Sequence, residues 1–488
     1  MKRSAGILLH PTSLPSLFGI GDFGEDAYTW VRLLKNAGIT HWQYCPIGPT
    51  GDGDSPYQCL CSFAGNPVLI SPQKLHESGL LTKDDLAKYP AQASEEVVDF
   101  QKVFAAKDEL FSRAFSRFAP DDAFHAFCEK EKAWLDDYAV FCVMRAIAGC
   151  RAWNTWDSGI RLRQAQAVAL LKKENAEQIA YHKFLQYIFT CQFESVKQFA
   201  NEMGVVLVGD VPIYAAFDSC DTWSAPWQFE LDAVGGPVRV SGVPPDYFCE
   251  NGQLWGNPLY RWDVMKSDGY AWWISRLKKA LQFANIVRLD HFRGFESYWA
   301  IDAKSNTAKN GAWEKGPGMD LFTAIKKELG DLPFIAEDLG DITPEVDKLR
   351  NDAGLPGMRV LQFAFDGNPN NPHLPYAITQ NSVVYTGTHD NTTLAGWLDT
   401  LSGVERQHVD EYCGCGADVG SIVRCAFSSV ADLCVVPMQD VIGQDASYRM
   451  NVPGTARGNW RYRLHAKYLK PETFAAVHEF GRIYGRAS

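Results

Sequence analysis

Eight short apolar runs, each closing on a polar or glycine-rich turn, recur along this chain: AGILLHPTSLP, THWQYCPIGPTG, VVLVGDVPIY, NIVRLDHFRGF, LPFIAEDLG, MRVLQFAF, SVVYTGTHDN and LCVVPMQDVIG. Between several of them lie helical patterns that stop on a glycine, namely EDAYTWVRLLKNAG, CQFESVKQFANEMG, LFTAIKKELG and PEVDKLRNDAG. Glycine takes the left-handed conformation that ends a helix more readily than other residues. Strand then helix, repeated eight times, predicts an α/β fold in which a parallel sheet closes into a (β/α)8 TIM barrel. The spacing is uneven: the second run lies much further from the third, and the third from the fourth, than ordinary loops reach, which predicts large insertions. The first insertion holds long amphipathic stretches such as FCEKEKAWLDDYAVFCVMRAIAGC and NAEQIAYHKFLQYIFT and should be a helical subdomain. The second, SGVPPDYFCENGQLWGNPLYRW, is rich in Pro, Gly and aromatics with little periodicity and reads as a loop over the barrel mouth. The expected plan is residues 1–67 as the first part of the barrel, 68–200 as the helical insertion, and 201–488 as the remainder, including an active-site loop at 242–262.

The 488 residues fit two domains or one barrel with sizeable insertions. Asp and Glu outnumber Lys and Arg by 58 to 47, which leaves no basic field for nucleic acid and little attraction to an anionic membrane, so a neutral substrate fits better. Fifteen Trp and nineteen Tyr are compatible with stacking on sugar rings, although most such rings serve as core. Thirteen Cys, an odd number without small-domain spacing, point to free thiols in a reducing compartment. Cys413 and Cys415 lack the second pair or nearby His of a zinc site and read as structural. The apolar stretch before His10 is too short for a signal peptide, and no run reaches the length of a membrane helix, so the expected location is cytoplasmic, or stromal after loss of a transit peptide.

Barrel active sites lie at the C-terminal ends of the strands. There this chain places carboxylates: Asp210 after the third run, Asp290 after the fourth, Glu337 and Asp338 after the fifth, and His389 with Asp390 after the seventh. Converging acids bind a divalent metal, abstract protons, or flank a glycosidic bond. Against a metal, Arg288 and Arg293 flank Asp290, and His291 and His389 lack the spacing of metal ligands, so no metal or cofactor is expected. In an extended strand Arg288 and Asp290 share a face, so the guanidinium should hold Asp290 charged, as a nucleophile requires. Glu337 follows Phe-Ile-Ala, where burial should favour a retained proton and the role of acid. Asp390 would bind sugar hydroxyls and favour an oxocarbenium-like state. Asp338, on the opposite face from Glu337, reads as a salt-bridge or helix-capping residue.

The segments SLPSLFGIGDFG, GDSPYQ, FAGNP, GDVPIYAAFDSCDTW, GVPPDYF with GQLWGNPLY, IVRLDHFRGF, AEDLG, TGTHDN and RMNVPGTARGNWRYR, in this order over essentially the whole chain, resemble the 4-α-glucanotransferases of amylomaltase type, relatives of the α-amylases. The resemblance implies Asp290 as nucleophile, Glu337 as acid/base and Asp390 as transition-state stabiliser. It also implies Arg288 and His389 as contacts of the sugar at the cleavage site, with His291 beside them. Tyr57 should border the same sugar, while Asp210, Asp246, Trp255 and Asn459 should line the glucan groove or its covering loop. The implied partners are α-1,4-glucans and malto-oligosaccharides, and the implied activity is segment transfer, for which a loop carrying Tyr247, Phe248 and Trp255 could exclude water. A glucan hydrolase and a non-catalytic glucan-binding barrel are the alternatives. The motifs depart from the family pattern at Cys59, Cys61, Cys220, Thr222 and Tyr462, positions that bear on acceptor preference.

Overall fold

The computed structural model describes residues 2–51, 53–89, 94–245 and 251–487. Its strands, in chain order, are β1 (Ser4–Leu8), β2 (His41–Gln43), β3 (Val206–Val211), β4 (Arg239–Val243), β5 (Gln253–Pro258), β6 (Ile286–Leu289), β7 (Ser297–Asp302), β8 (Gly311–Lys315), β9 (Phe334–Ala336), β10 (Gly357–Val360), β11 (Ser382–Tyr385) and β12 (Leu433–Pro437). Eight of these form one parallel sheet in the order β10-β11-β12-β1-β2-β3-β6-β9, a nearly closed barrel whose strands are the eight apolar runs of the sequence. The helices Glu25–Asn36, Met319–Leu329 and Pro344–Asp352 follow their strands, and the glycines that end them, among them Gly330 and Gly354, have φ of +78° and +72°.

Strand alternation decides what faces the axis. Val208, Ile335, Met358, Val383, Tyr385 and Val435 form a dry interior cluster, each aliphatic member contributing about 2 kcal/mol by leaving water. Their neighbours in sequence point outward: Ile7, Trp42, Leu207 and Val384 pack beneath the helices, and Val287, Leu289 and Phe334 join a second outer cluster. Two residues beyond an interior apolar side chain the next inward position is polar: Asp210 after Val208, Arg288 after Ile286, Glu337 after Ile335. The barrel is therefore apolar at its base and ionisable at its C-terminal rim.

The chain between β2 and β3 is helical, with Phe100–Arg117, Asp122–Lys130, Lys132–Ile147, Ala165–Glu174 and Ala176–Glu202 as its longer elements. The 27-residue helix Ala176–Glu202 carries this insertion and then seats Phe189, Phe193, Val196 and Ala200 in the main core, so it runs without a break across residue 200. Two buried ion pairs fasten the insertion to the barrel, Lys107–Asp22 at 3.3 Å and Lys279–Glu131 at 3.0 Å.

The segment between β3 and β6 departs from the expected loop. Its β4 and β5 pair antiparallel, and with β7 and β8 they make a four-stranded sheet in the order β5-β4-β7-β8. No alternation announces it because the register slips between Val240 and Gly242 and because Gly242 and Gly256 interrupt the pattern. Half of the ladder comes from a third insertion, β7 and β8, which the sequence reading did not separate from the barrel.

Between β9 and β10 the barrel has no regular ladder. The seam is closed by Ala336 N–H donating to the Pro356 carbonyl at 2.9 Å and by Asp338, whose Oδ1 accepts from Met358 N–H at 2.6 Å. Asp338 also pairs with Arg350 at 3.4 Å and Arg359 at 3.2 Å, which makes it the salt-bridge residue of the two readings. Gly357 is required here, since a Cβ would lie 2.3 Å from Asp338 Oδ2. Removing one partner from a buried ion pair costs about 3 kcal/mol or more. Asp338→Ala should accordingly lower the urea unfolding midpoint by that equivalent, and Asp338→Asn, which keeps the acceptor for Met358 N–H, by less. Equal midpoints for the wild type and both variants would remove Asp338 from the seam.

Candidate active site

The inward-facing rim residues meet around Arg288. Its Nη1 lies 2.7 Å from Asp210 Oδ2 and 2.8 Å from Asp290 Oδ1, its Nη2 lies 4.0 Å from Glu337 Oε2, and its Nε donates to Met358 Sδ at 3.4 Å. Asp290 and Glu337 thus approach the two terminal nitrogens of one guanidinium, from the ends of the adjacent strands β6 and β9. Asp290 keeps 26% of its side chain accessible, against 11% for Glu337.

Burial is the largest influence on Glu337 and raises its pKa to about 8, with Asp290 adding repulsion and Arg288 opposing the rise. Its oxygens are held from the backbone: His291 N–H donates to Oε2 at 2.6 Å and Leu339 N–H to Oε1 at 3.1 Å. His291 presents that N–H from a left-handed conformation, φ +50°, which is costly for a residue with a Cβ. The edge-on contact of its ring with Trp255, at 4.7 Å and 88°, packs it in place. Burial lowers the His291 pKa to about 3, so its imidazole is neutral. Among the described residues its Nε2 has no hydrogen-bond partner.

On the other side of Arg288, Tyr57 donates its hydroxyl proton to Asp210 Oδ2 at 2.9 Å and stacks on His389 at 4.9 Å and 20°. His389 is buried and its pKa is lowered by desolvation. Its Nε2 lies 3.4 Å from Asp390 Oδ1. Asp210 has almost no accessible side chain and touches the site through Arg288 and Tyr57. Asn459 spends its amide on its own loop, accepting from Val452 N–H at 3.0 Å and donating to the Thr455 carbonyl at 3.0 Å. Trp255 is half-buried at the mouth. Asp246, with Tyr247 and Phe248, lies outside the described residues. Tyr57, Asp210, Trp255, Arg288, Asp290, His291, Glu337, His389 and Asp390 therefore share one rim, and Asn459 braces a loop beside it.

Three residues of this site carried no chemical signal in the sequence. Asn451 Nδ2 donates to Asp390 Oδ1 at 2.6 Å, and Arg449 donates to the Asp390 carbonyl; both lie within the RMNVPGTARGNWRYR segment. Asp440, at the end of β12, accepts from Thr386 Oγ1 at 2.7 Å and from Leu394 N–H at 2.7 Å, so it grips both ends of the loop that holds His389 and Asp390. Burial raises its pKa to about 6. Its place one strand-end away from the other acids was the only available cue.

Comparison with known proteins gives the chain a family. A family model described as 4-alpha-glucanotransferase matches residues 9–469. The 4-alpha-glucanotransferase of Synechocystis is 44% identical over 99% of this chain and 98% of its own, and that of Thermus thermophilus 45% identical over 97% of each. The amylomaltase of Streptococcus agalactiae, solved in complex with acarbose, superposes with a TM-score of 0.97 over the whole of both chains at 36% identity. Among the described residues no helix is long and apolar enough to cross a membrane. With a matching family model over nearly the full length and relatives at 44% and 45% identity, the chain is an enzyme of the 4-alpha-glucanotransferase family.

Proposed function

We propose that this enzyme moves segments of α-1,4-glucan to an acceptor maltodextrin or glucose by a retaining double displacement through a covalent glucosyl-Asp290 ester. The observation that carries the reading is the unequal footing of two carboxyls around one guanidinium: Asp290 in direct contact with Arg288, Glu337 more distant, deeply buried and shifted toward its protonated form.

In the first step an Asp290 oxygen attacks the anomeric carbon while Glu337 gives its proton to the departing 4-oxygen, so the glycosidic bond breaks as the ester forms. Glu337, now ionised, takes the proton of an acceptor 4-hydroxyl, whose oxygen displaces Asp290 and restores the α-linkage. Asp390 binds sugar hydroxyls and favours the positive charge that develops at the ring. Neutral His389 and Tyr57, stacked at the rim, provide an uncharged wall for the same ring. Trp255, packed on His291 at the mouth, supports the exclusion of water that transfer requires. The family membership of the chain and the acarbose complex of a relative support an α-1,4-glucan as the substrate.

Maltotriose alone should yield glucose and a ladder of longer maltodextrins with little gain in reducing ends; a rise in reducing ends without longer products would mean hydrolysis instead. Glu337→Gln should turn over maltotriose about 10²- to 10⁴-fold more slowly yet still release a stoichiometric burst of fluoride from α-glucosyl fluoride, whose leaving group needs no proton. Asp290→Asn should give no burst. Equal loss on both substrates would take the acid role away from Glu337.

The pH dependence follows with a definite sign. A general acid must be protonated to act and the other working carboxylates ionised, so kcat/KM on maltotriose should fall as pH rises through the Glu337 value of about 8 and fall again on an acidic limb where those carboxylates take up protons. The fluoride burst should lack the alkaline limb, and a maltotriose profile that stays flat well above pH 8 would contradict the assignment.

A further inference from the structure

Asp390 is the most accessible of the three acids, with 48% of its side chain open, and a carboxylate so placed has rotational freedom unless something holds it. The chain beyond β12 supplies the hold. Asn451 Nδ2 donates to Asp390 Oδ1 at 2.6 Å. Arg449 donates to the Asp390 carbonyl with one nitrogen and to the Asn451 carbonyl with Nε, so one guanidinium ties the two backbones together. Within the loop, Asp390 N–H donates to Thr388 Oγ1 at 3.2 Å, and Thr388 donates to Asn391 Oδ1 from both N–H and Oγ1 at 2.9 Å. The backbone is thus fixed from inside the loop, and the carboxylate from Asn451.

We propose that Asn451, seated by Arg449, is a positioning residue that orients the Asp390 carboxylate toward the sugar without cancelling its charge. The inference rests on the stabilising role given to Asp390 above. The chemistry explains the residue type. A positively charged transition state gains from a nearby full negative charge, and a cationic donor at position 451 would offset that gain, whereas an amide N–H fixes one oxygen without adding charge. Among the described residues, the charged and titratable groups shown to interact with Asp390 are His389 from its own loop, Arg449 from the segment after β12, and the buried Cys45 thiol beyond β2. His389 is held neutral by burial, so Asn451 is the direct partner of the carboxylate that cannot change its charge.

Asn451→Ala should lower kcat on maltotriose by roughly 100-fold, the scale of a misplaced catalytic group, with KM altered less than about 3-fold and the pH profile retained. Asn451→Asp puts a second carboxyl against Oδ1, and two acids in contact share a proton. The acidic limb of kcat/KM should then rise by about one pH unit or more, a change that a merely structural role would not produce. Thermal melting of both variants confirms folding, and Asn451→Asp differs from the wild type by only one atom type. Wild-type kcat in Asn451→Ala, or an unmoved acidic limb in Asn451→Asp, overturns the inference. Asp390→Asn, assayed alongside, separates the two levels: if it is nearly inactive while Asn451→Asp keeps the wild-type profile, only the role of Asn451 fails. If Asp390→Asn is fully active, the role of Asp390 fails and the inference with it.

Discussion

The site depends on one buried cation. Arg288 points into the barrel above the apolar layers, where a lone guanidinium would be prohibitive, and it is tolerated because Asp210 and Asp290 both contact Nη1 and Met358 receives Nε. The reverse holds as well. Asp210, Asp290 and Glu337 end three neighbouring strands, and without a central positive charge their mutual repulsion would oppose closing the rim. The asymmetry around that cation matters as much as its presence: Asp290 is in direct contact with it, while Glu337 stands farther off and burial favours its proton. A single arginine at the right inward position thereby supports two chemically different carboxyls.

From Arg288 the contacts continue across the mouth. Asp210 joins it to Tyr57, Tyr57 stacks on His389, His389 borders Asp390, and Asp390 is held by Asn451. These residues come from β3 and β6, from the turns after β2 and β11, and from the segment after β12. Because each link is either buried or braced by backbone hydrogen bonds, the arrangement behaves as one polar unit set into the rim, and a change at Asp210 would be felt at Asp290 through Arg288 and at His389 through Tyr57.

Much of this was legible in the chain. The eight barrel strands could be read because interior and exterior positions alternate strictly over short runs that end in turns, and Asp290 and Glu337 could be read because the same alternation carries them inward after Arg288 and Ile335. Asp338, one residue on, turns to the seam for the same reason. What escaped was structure without period. The antiparallel sheet of β4, β5, β7 and β8 is assembled from strands far apart in sequence, with a register slip and glycines in place of alternation. Asn459 and Asn451 lie eight residues apart in one irregular loop, and only coordinates reveal that the first amide closes the loop and the second faces Asp390. Asp210 is likewise inward, as its parity requires, yet it is covered by Tyr57 rather than open to the groove.

The rim also stores backbone strain in a place where the fold can bear it. His291 and Trp460, both non-glycine residues with positive φ of 50° and 64°, follow Asp290 and the Asn459 brace directly in the chain. Such conformations cost about 1–2 kcal/mol each. At His291 the cost is offset by a short hydrogen bond to Glu337 and by the Trp255 contact, and the same backbone twist that is costly is what aims the N–H at the acid. Trp460 is held with its ring 5.7 Å from both Tyr57 and His389, closing the wall behind them. Relaxing either residue into an ordinary conformation would free energy locally but would release Glu337 or loosen the Tyr57–His389 stack. The insertions after β2, β3 and β6 make this sustainable: they add packing around the mouth, as Trp255 shows, while the nearly closed parallel sheet beneath keeps its register.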